Sequence, residues 1–240
     1  MILTAHQPAY LPWLGLFHKI ALSDIFVILD QVQFEKNSFI NRNKIKTRQG
    51  PLWLTIPVLQ SNHFKKMLCE IEIDNKIDWK KKHWKSIYLN YKQTMFFDRY
   101  SSFFECCYKQ EWTMLSELLL YILNFFIAEL GIKTKVLKQS SLSVDGKKDQ
   151  LILNLCKDFR SNIFVSGILG KNYLRQDVFQ NCGINIFFQD YSHPGYNQLK
   201  VDEFLPYMSI IDLLFNEGPH SFDILMSGNV SKEFLIKEFL

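Results

Sequence analysis

The sequence predicts an α/β protein, a Rossmann-like and mostly parallel sheet with an inserted helical subdomain. Three observations lead there. Short apolar runs closed by polar turns alternate with stretches of helical spacing at both ends of the chain. Between residues 79 and 130 that alternation gives way to helical spacing alone. The first thirty residues read as strand, turn, helix and strand, which makes a βαβ unit.

In order, Met1–Ala5 is a short strand that ends in His6-Gln7-Pro8. Pro8 and Pro12 bracket a turn, and Leu14–Leu22 then carries Leu14, Phe17 and Ala21 on one helical face. Asp24–Leu29 is a nearly continuous apolar run closed by Asp30, the pattern of a strand buried on both faces. Leu52–Val58 and Met67–Ile73 alternate as two strands of an edge hairpin. Trp79, His83, Ile87 and Tyr91 fall at i, i+4 spacing, and Trp112–Leu130 continues with three to four apolar residues per two turns. The α/β pattern resumes with a strand at Val136–Leu137, a helix over Lys147–Phe159 and a strand at Asn162–Ser166. A helix over Lys171–Asn181, a strand at Ile184–Gln189 and a last helix over Phe204–Phe215, stopped near Gly218, complete it. The expected division is a core of residues 1–75 and 135–240 with a helical insertion at 76–134.

Composition limits what the chain does. Phe alone contributes 21 of 240 residues, enough ring surface to fill a core without a metal or disulfide framework. The five cysteines are odd in number and form no CxxC pair, so they read as reduced residues of a cytoplasmic protein with no metal site. The N-terminus lacks the basic and apolar regions of a signal peptide. Leu118–Leu130, the longest apolar stretch, falls short of the ~20 residues that span a bilayer. A net charge of +4 suits a phosphate-bearing ligand and does not point to nucleic acid.

Four segments could carry chemistry. His6, at the carboxyl end of the first strand, is placed where open α/β sheets bind ligands, and its imidazole can move protons near neutral pH. Gln7, Tyr10 and Trp13 would wall that pocket, and Lys19 on the following helix is either a ligand contact or a solvated charge. In the second segment, from Asp24 to Arg42, Asp30 is expected to point toward the same face as His6, where it could orient His6, accept a substrate amine or hold a magnesium ion. Arg42 and Asn43, with Lys36, Asn37 and Lys44 nearby, offer donors to phosphate or carboxylate. The third is Ser166-Gly167 with Lys171 and Tyr173, a turn between a strand and a helix whose amides could cradle an anion. It lacks the full Gly-x-x-x-x-Gly-Lys-Ser/Thr pattern of a P-loop. The fourth, Tyr191–Gln198, places Tyr196 and Gln198 for a sugar or nucleotide, and would equally serve as a Pro-Gly turn.

These segments together resemble one family. His6-Gln7-Pro8, Tyr10-Leu11-Pro12-Trp13-Leu14-Gly15, Lys19-Ile20, Ser23-Asp24, Asp30, Gln33-Phe34 and Asn41-Arg42-Asn43 look like the opening of WbqC-like proteins. Trp53–Val58, Ser166-Gly167, Tyr173-Leu174 and Ser209–Asn216 extend the likeness almost to the end. The resemblance implies a place in the biosynthesis of O-antigen, the polysaccharide of lipopolysaccharide, or a related surface polysaccharide, and an activity like that of a glycine transferase acting on an amino sugar. It carries over no catalytic set. More loosely, the architecture is similar to nucleotidyltransferase-like enzymes that adenylate a carboxylate. It departs from them in having His18 twelve residues after His6, where they pair two histidines in the first turn.

The expected function is therefore an aminoacyl or acyl transferase that forms an amide on a nucleotide-linked amino sugar. His6 and Asp30 are its catalytic pair, the donor is an amino acid or acyl group, and ATP is the candidate cofactor. The alternatives are a non-catalytic nucleotide-sugar binding protein of a glycosylation complex and a nucleobase-modifying enzyme.

Overall fold

The computed structural model describes residues 1–35, 38–59, 66–199 and 203–239. Lys36 and Asn37 lie outside them. In chain order the strands are β1 (Ile2–His6), β2 (Ile25–Ile28), β3 (Arg42–Thr47), β4 (Gly50–Thr55), β5 (Lys135–Lys138), β6 (Ile163–Gly167) and β7 (Asn185–Gln189). The helices are α1 (Leu14–Ala21), α2 (Trp79–Tyr91), α3 (Phe97–Lys109), α4 (Leu115–Glu129), α5 (Lys148–Asp158), α6 (Gln176–Gln180), α7 (Ile210–Glu217), α8 (Ser221–Met226) and α9 (Lys232–Phe239).

Five strands form one sheet in the order β5-β2-β1-β6-β7, and every neighbouring pair is parallel. The chain leaves β1 toward β2 and β5, then returns to build β6 and β7 on the other side. The order thus reverses between β1 and β6, the switch point at which carboxyl ends part and leave a crevice. All four residues of β2 and the first four of β1 are buried, as a strand covered on both faces requires. On one face α5 and α6 bring Leu151, Leu155, Cys156 and Phe179 against Leu3, Ala5 and Val27. On the other, α1 to α4 and α7 enclose a larger aromatic core.

The stretch predicted to be helical folds into α2, α3 and α4, and α2 buries the predicted line Trp79, His83, Ile87 and Tyr91. These helices share their core with α1 and α7: Phe17 meets Phe126 edge-on, and Phe215 contacts Tyr91, Phe97, Tyr100 and Phe104.

The edge hairpin differs from its prediction. β4 pairs antiparallel with β3, from Arg42↔Thr55 to Thr47↔Gly50. Met67–Ile73 is instead a single 3-10 turn, Leu68–Glu70, flanked by isolated bridges. Polar residues disguise β3, because its buried positions include Asn43 and Lys46 as well as Ile45. The Lys171–Asn181 helix is also corrected, to a 3-10 turn at Ile168–Asn172 followed by the short α6. The last predicted helix starts at Ile210 rather than Phe204, because the hydroxyl of Ser209 caps it by accepting from the amide of Ile211 at 3.3 Å. Helices α8 and α9 follow it without having been anticipated. Among the described residues no helix is long and apolar enough to cross a membrane.

Candidate functional site

β1 delivers His6 and β6 delivers Ser166 and Gly167 to the two lips of the switch point. Between them lies a cavity of about 630 Å³, walled also by Gln7, Trp13, Lys19 and Tyr173. That volume suits a ligand the size of a nucleotide or sugar.

The His6 ring is held by its own turn. Nδ1 donates to the carbonyl of Gln7 at 2.8 Å, and the indole of Trp13 meets the ring edge-on at 5.5 Å. A carbonyl only accepts, so the hydrogen is on Nδ1 and the lone pair on Nε2. Burial, with a smaller push from the Lys19 charge, lowers the pKa of His6 to about 3, so the ring is neutral at physiological pH. Lys19 is reached from α1 and is almost wholly buried, at 3% exposure. Its amine donates to the carbonyl of Ala5 at 3.3 Å, and burial lowers its pKa to about 7.

The loop between His6 and α1 is itself fixed. Leu11 holds a positive φ of 44°, a strained value for a leucine, and the amide of Asn43 donates to its carbonyl at 2.7 Å. Asn43 therefore reaches the cavity indirectly, through the loop it pins. On the opposite lip, Gly170 packs so tightly on Ser166 that a Cβ there would lie 2.0 Å from the serine hydroxyl.

Several cavity residues were not singled out from the sequence. Gln189, at the end of β7, donates through Nε2 to the carbonyl of Gly15 at 2.9 Å and to Nδ1 of His18 at 2.6 Å. Nε2 of His18 donates to the carbonyl of Val230 at 3.0 Å, so His18 braces the wall from behind. His193 repeats the arrangement of His6. Its Nδ1 donates to the carbonyl of Pro194 at 2.9 Å, while Nε2 is buried and, among the described residues, without a partner. Tyr191, Tyr196, Phe204 and Tyr207 surround its ring. The position of Gln189 and His193 at and just after a strand's carboxyl end was the available signal.

Gln7, Leu29, Glu35, Ile152 and Tyr173 also line a neighbouring cavity of about 790 Å³, which adds Gln31, Gln33, Lys66, Lys147 and Lys148. The two are lobes of one crevice over the carboxyl edge of the sheet.

Other expected site residues lie elsewhere. Asp30 does not share a cavity with His6. Its carboxylate accepts from the amide and hydroxyl of Ser140 and lines a separate hollow of about 210 Å³. The carbonyl of Gln7 orients the ring instead. Tyr10 is fully buried, its hydroxyl bonded to His83 at 2.8 Å and to Tyr108. Arg42 lies on β3 with its guanidinium 4.6 Å from the centre of the Trp53 ring, and Lys171 is exposed beside Phe188. Tyr196 and Gln198 donate to Asp212 at 2.9 and 2.7 Å, and Tyr91 completes the set at 2.9 Å. Burial raises the pKa of Asp212 against these three bonds and the charge of Lys46.

The motif residues thus divide between a crevice and the braces that shape it. Residues 7–224 match the WbqC-like protein family. The chain belongs to that family. It is also similar to the uncharacterized protein Rv1507c of Mycobacterium tuberculosis, with 35% identity over 222 residues, 91% of this chain and 95% of that protein. The family match runs from Gln7 through the helices α2 to α4 to the Asp212 cluster.

Proposed function

We propose that this WbqC-like protein transfers an aminoacyl or acyl group to the amine of a nucleotide-linked amino sugar, in the assembly of O-antigen or a related surface polysaccharide. One observation carries the reading: the unprotonated Nε2 of His6 and the buried amine of Lys19 belong to the walls of one crevice, large enough for a nucleotide or a sugar.

In this mechanism Nε2 takes a proton from the sugar ammonium, and the freed amine attacks the acyl carbonyl. The new C–N bond forms first and gives a tetrahedral oxyanion; the second proton of the nitrogen then passes to the activating group as its bond to the acyl carbon breaks and it leaves with the electron pair. The Lys19 ammonium stabilises the oxyanion between these events. Burial makes His6 a weak base in the empty crevice, and the negative charge of a bound nucleotide raises its proton affinity to where transfer is effective. The donor is an amino acid such as glycine activated with ATP, or an acyl group brought by a carrier.

The test is His6→Ala in an assay with the amino-sugar nucleotide, glycine and ATP. Loss of about 10²- to 10⁴-fold in turnover is expected, and unchanged turnover would remove His6 from the reaction. A second reading, a nucleotide-sugar binding protein without catalysis, draws on the ring-rich wall of Trp13, Tyr173, Tyr191 and Tyr207. Thermal stabilisation by a sugar nucleotide with no turnover would favour it.

A further inference from the structure

Lys19 presents an imbalance that the fold does not resolve. Its amine is buried at the switch-point end of the crevice, and among the described residues no carboxylate stands within ion-pair distance of it. An ammonium carries three N–H donors, and the carbonyl of Ala5 takes one of them at 3.3 Å. Burying a cation without a counter-charge is costly, so such a group either gives up its proton or takes a partner from outside. The cavity that Lys19 helps to wall is the route by which one can arrive.

We propose that Lys19 is the counter-charge for an anionic group of the ligand, a carboxylate or a phosphoryl oxygen, seated between the carboxyl ends of β1 and β6. The surroundings fit an anion. Gln7 supplies a neutral amide on the same wall, while the two acids of the cavity, Glu35 and Asp190, are exposed.

Anion binding is then coupled to a proton. A bound anion holds Lys19 charged, whereas burial in the empty crevice lets it lose its proton near neutrality. Without the anion the other titratable groups of the cavity walls do not change charge in that range, and Lys19→Met separates the proton of the lysine from one that the anion draws to His6. His6 from β1 and His193 from the segment after β7 are held neutral, as is His18 behind them, and burial pushes the phenols of Tyr173 and Tyr191 up. Affinity should fall about tenfold per pH unit once Lys19 loses its proton.

The proposal rests on the crevice as the ligand site and not on amide transfer. It is tested by calorimetric titration of the whole chain with sulfate and, separately, acetate, neither of which changes charge between about pH 6 and about pH 9. Lys19→Met is the test variant. Lys85→Met, which removes an exposed lysine of α2, controls for net charge. The wild type should bind one of the anions with proton uptake above neutrality, Lys19→Met should lose about tenfold or more, and Lys85→Met should match the wild type. Preference for sulfate assigns a phosphoryl group, and preference for acetate a carboxylate. In the wild type, the same anion should protect Lys19 from acetylation by acetic anhydride, read by peptide mass spectrometry, so the result does not depend on the variant folding. Binding without pH dependence, equal binding by Lys19→Met, or no binding of either anion overturns the proposal. Anion binding that depends on Lys19 in a protein with no transferase turnover would keep the anion site and remove the transferase.

Discussion

The carboxylate of Asp30 accepts two hydrogen bonds from Ser140, one from the amide at 2.9 Å and one from the hydroxyl at 2.5 Å, and so ties the end of β2 to the turn that follows β5. Asp30→Ala should therefore cost about 1.5–3 kcal/mol of stability, the range for hydrogen bonds to a buried charge. Urea denaturation measures that loss. Ligand binding and turnover per folded molecule should stay near wild type, in contrast to His6→Ala. A turnover loss matching that of His6→Ala would return Asp30 to the reaction.

His83 sets a dependence on pH. It is buried beneath Tyr10, bonds the backbone of Thr55, and burial lowers its pKa to about 4. The folded protein keeps this ring neutral while the unfolded chain protonates it below about pH 6.5. The stability it contributes is complete above that pH and is lost as the pH falls toward 4, by about 1.4 kcal/mol per unit. His83→Gln, which keeps an acceptor and a donor but does not titrate, should remove one proton from the pH slope of unfolding between about pH 6 and about pH 5. An unchanged slope would place the proton elsewhere.

Gly218 ends α7 at a φ of +53°, and a Cβ there would lie 2.4 Å from the Phe96 ring. Gly218→Ala should lower stability by at least about 2 kcal/mol, since backbone strain and overpacking act together. Adding Phe96→Leu should recover the packing share and leave the backbone share. Thermal melts of the single and double variants separate the two.

Gly170→Ala would drive its new methyl onto the Ser166 hydroxyl and so disturb the lip of the cavity. Anion or nucleotide affinity should fall by several-fold with little change in helix content. The double variant with Ser166→Ala should recover stability beyond the sum of the single changes, the mark of two side chains sharing one space. Additive effects would mean that the lip accommodates the methyl group without moving Ser166.

The sheet was legible in the sequence because β1, β2 and β6 are short apolar runs at βα spacing, and their burial on both faces leaves little else for them to be. β3 was hidden because Asn43 and Lys46 occupy its buried positions and meet hydrogen-bond partners far along the chain. The site divided in the same way. His6, Gln7, Trp13, Lys19, Ser166, Gly167 and Tyr173 share one cavity because they follow or flank the two central strands. Asp30 ends a central strand too, but Ser140, 110 residues on, decides where its carboxylate points. No local pattern records that partner, nor the ones that draw Tyr10 into the core and Gln198 to Asp212.

The order of the sheet has a consequence for synthesis. β1 and β2 emerge together, but the other neighbour of β2 begins at Lys135, after all of α2, α3 and α4. Until then a strand with four apolar residues presents an open edge, a template for pairing with other chains. Closing so long a parallel crossover is slow, and its intermediates are prone to aggregate. Substitutions in the aromatic contacts among α2 to α4 should thus lower the yield of folded protein from the ribosome before they touch the chemistry of the crevice.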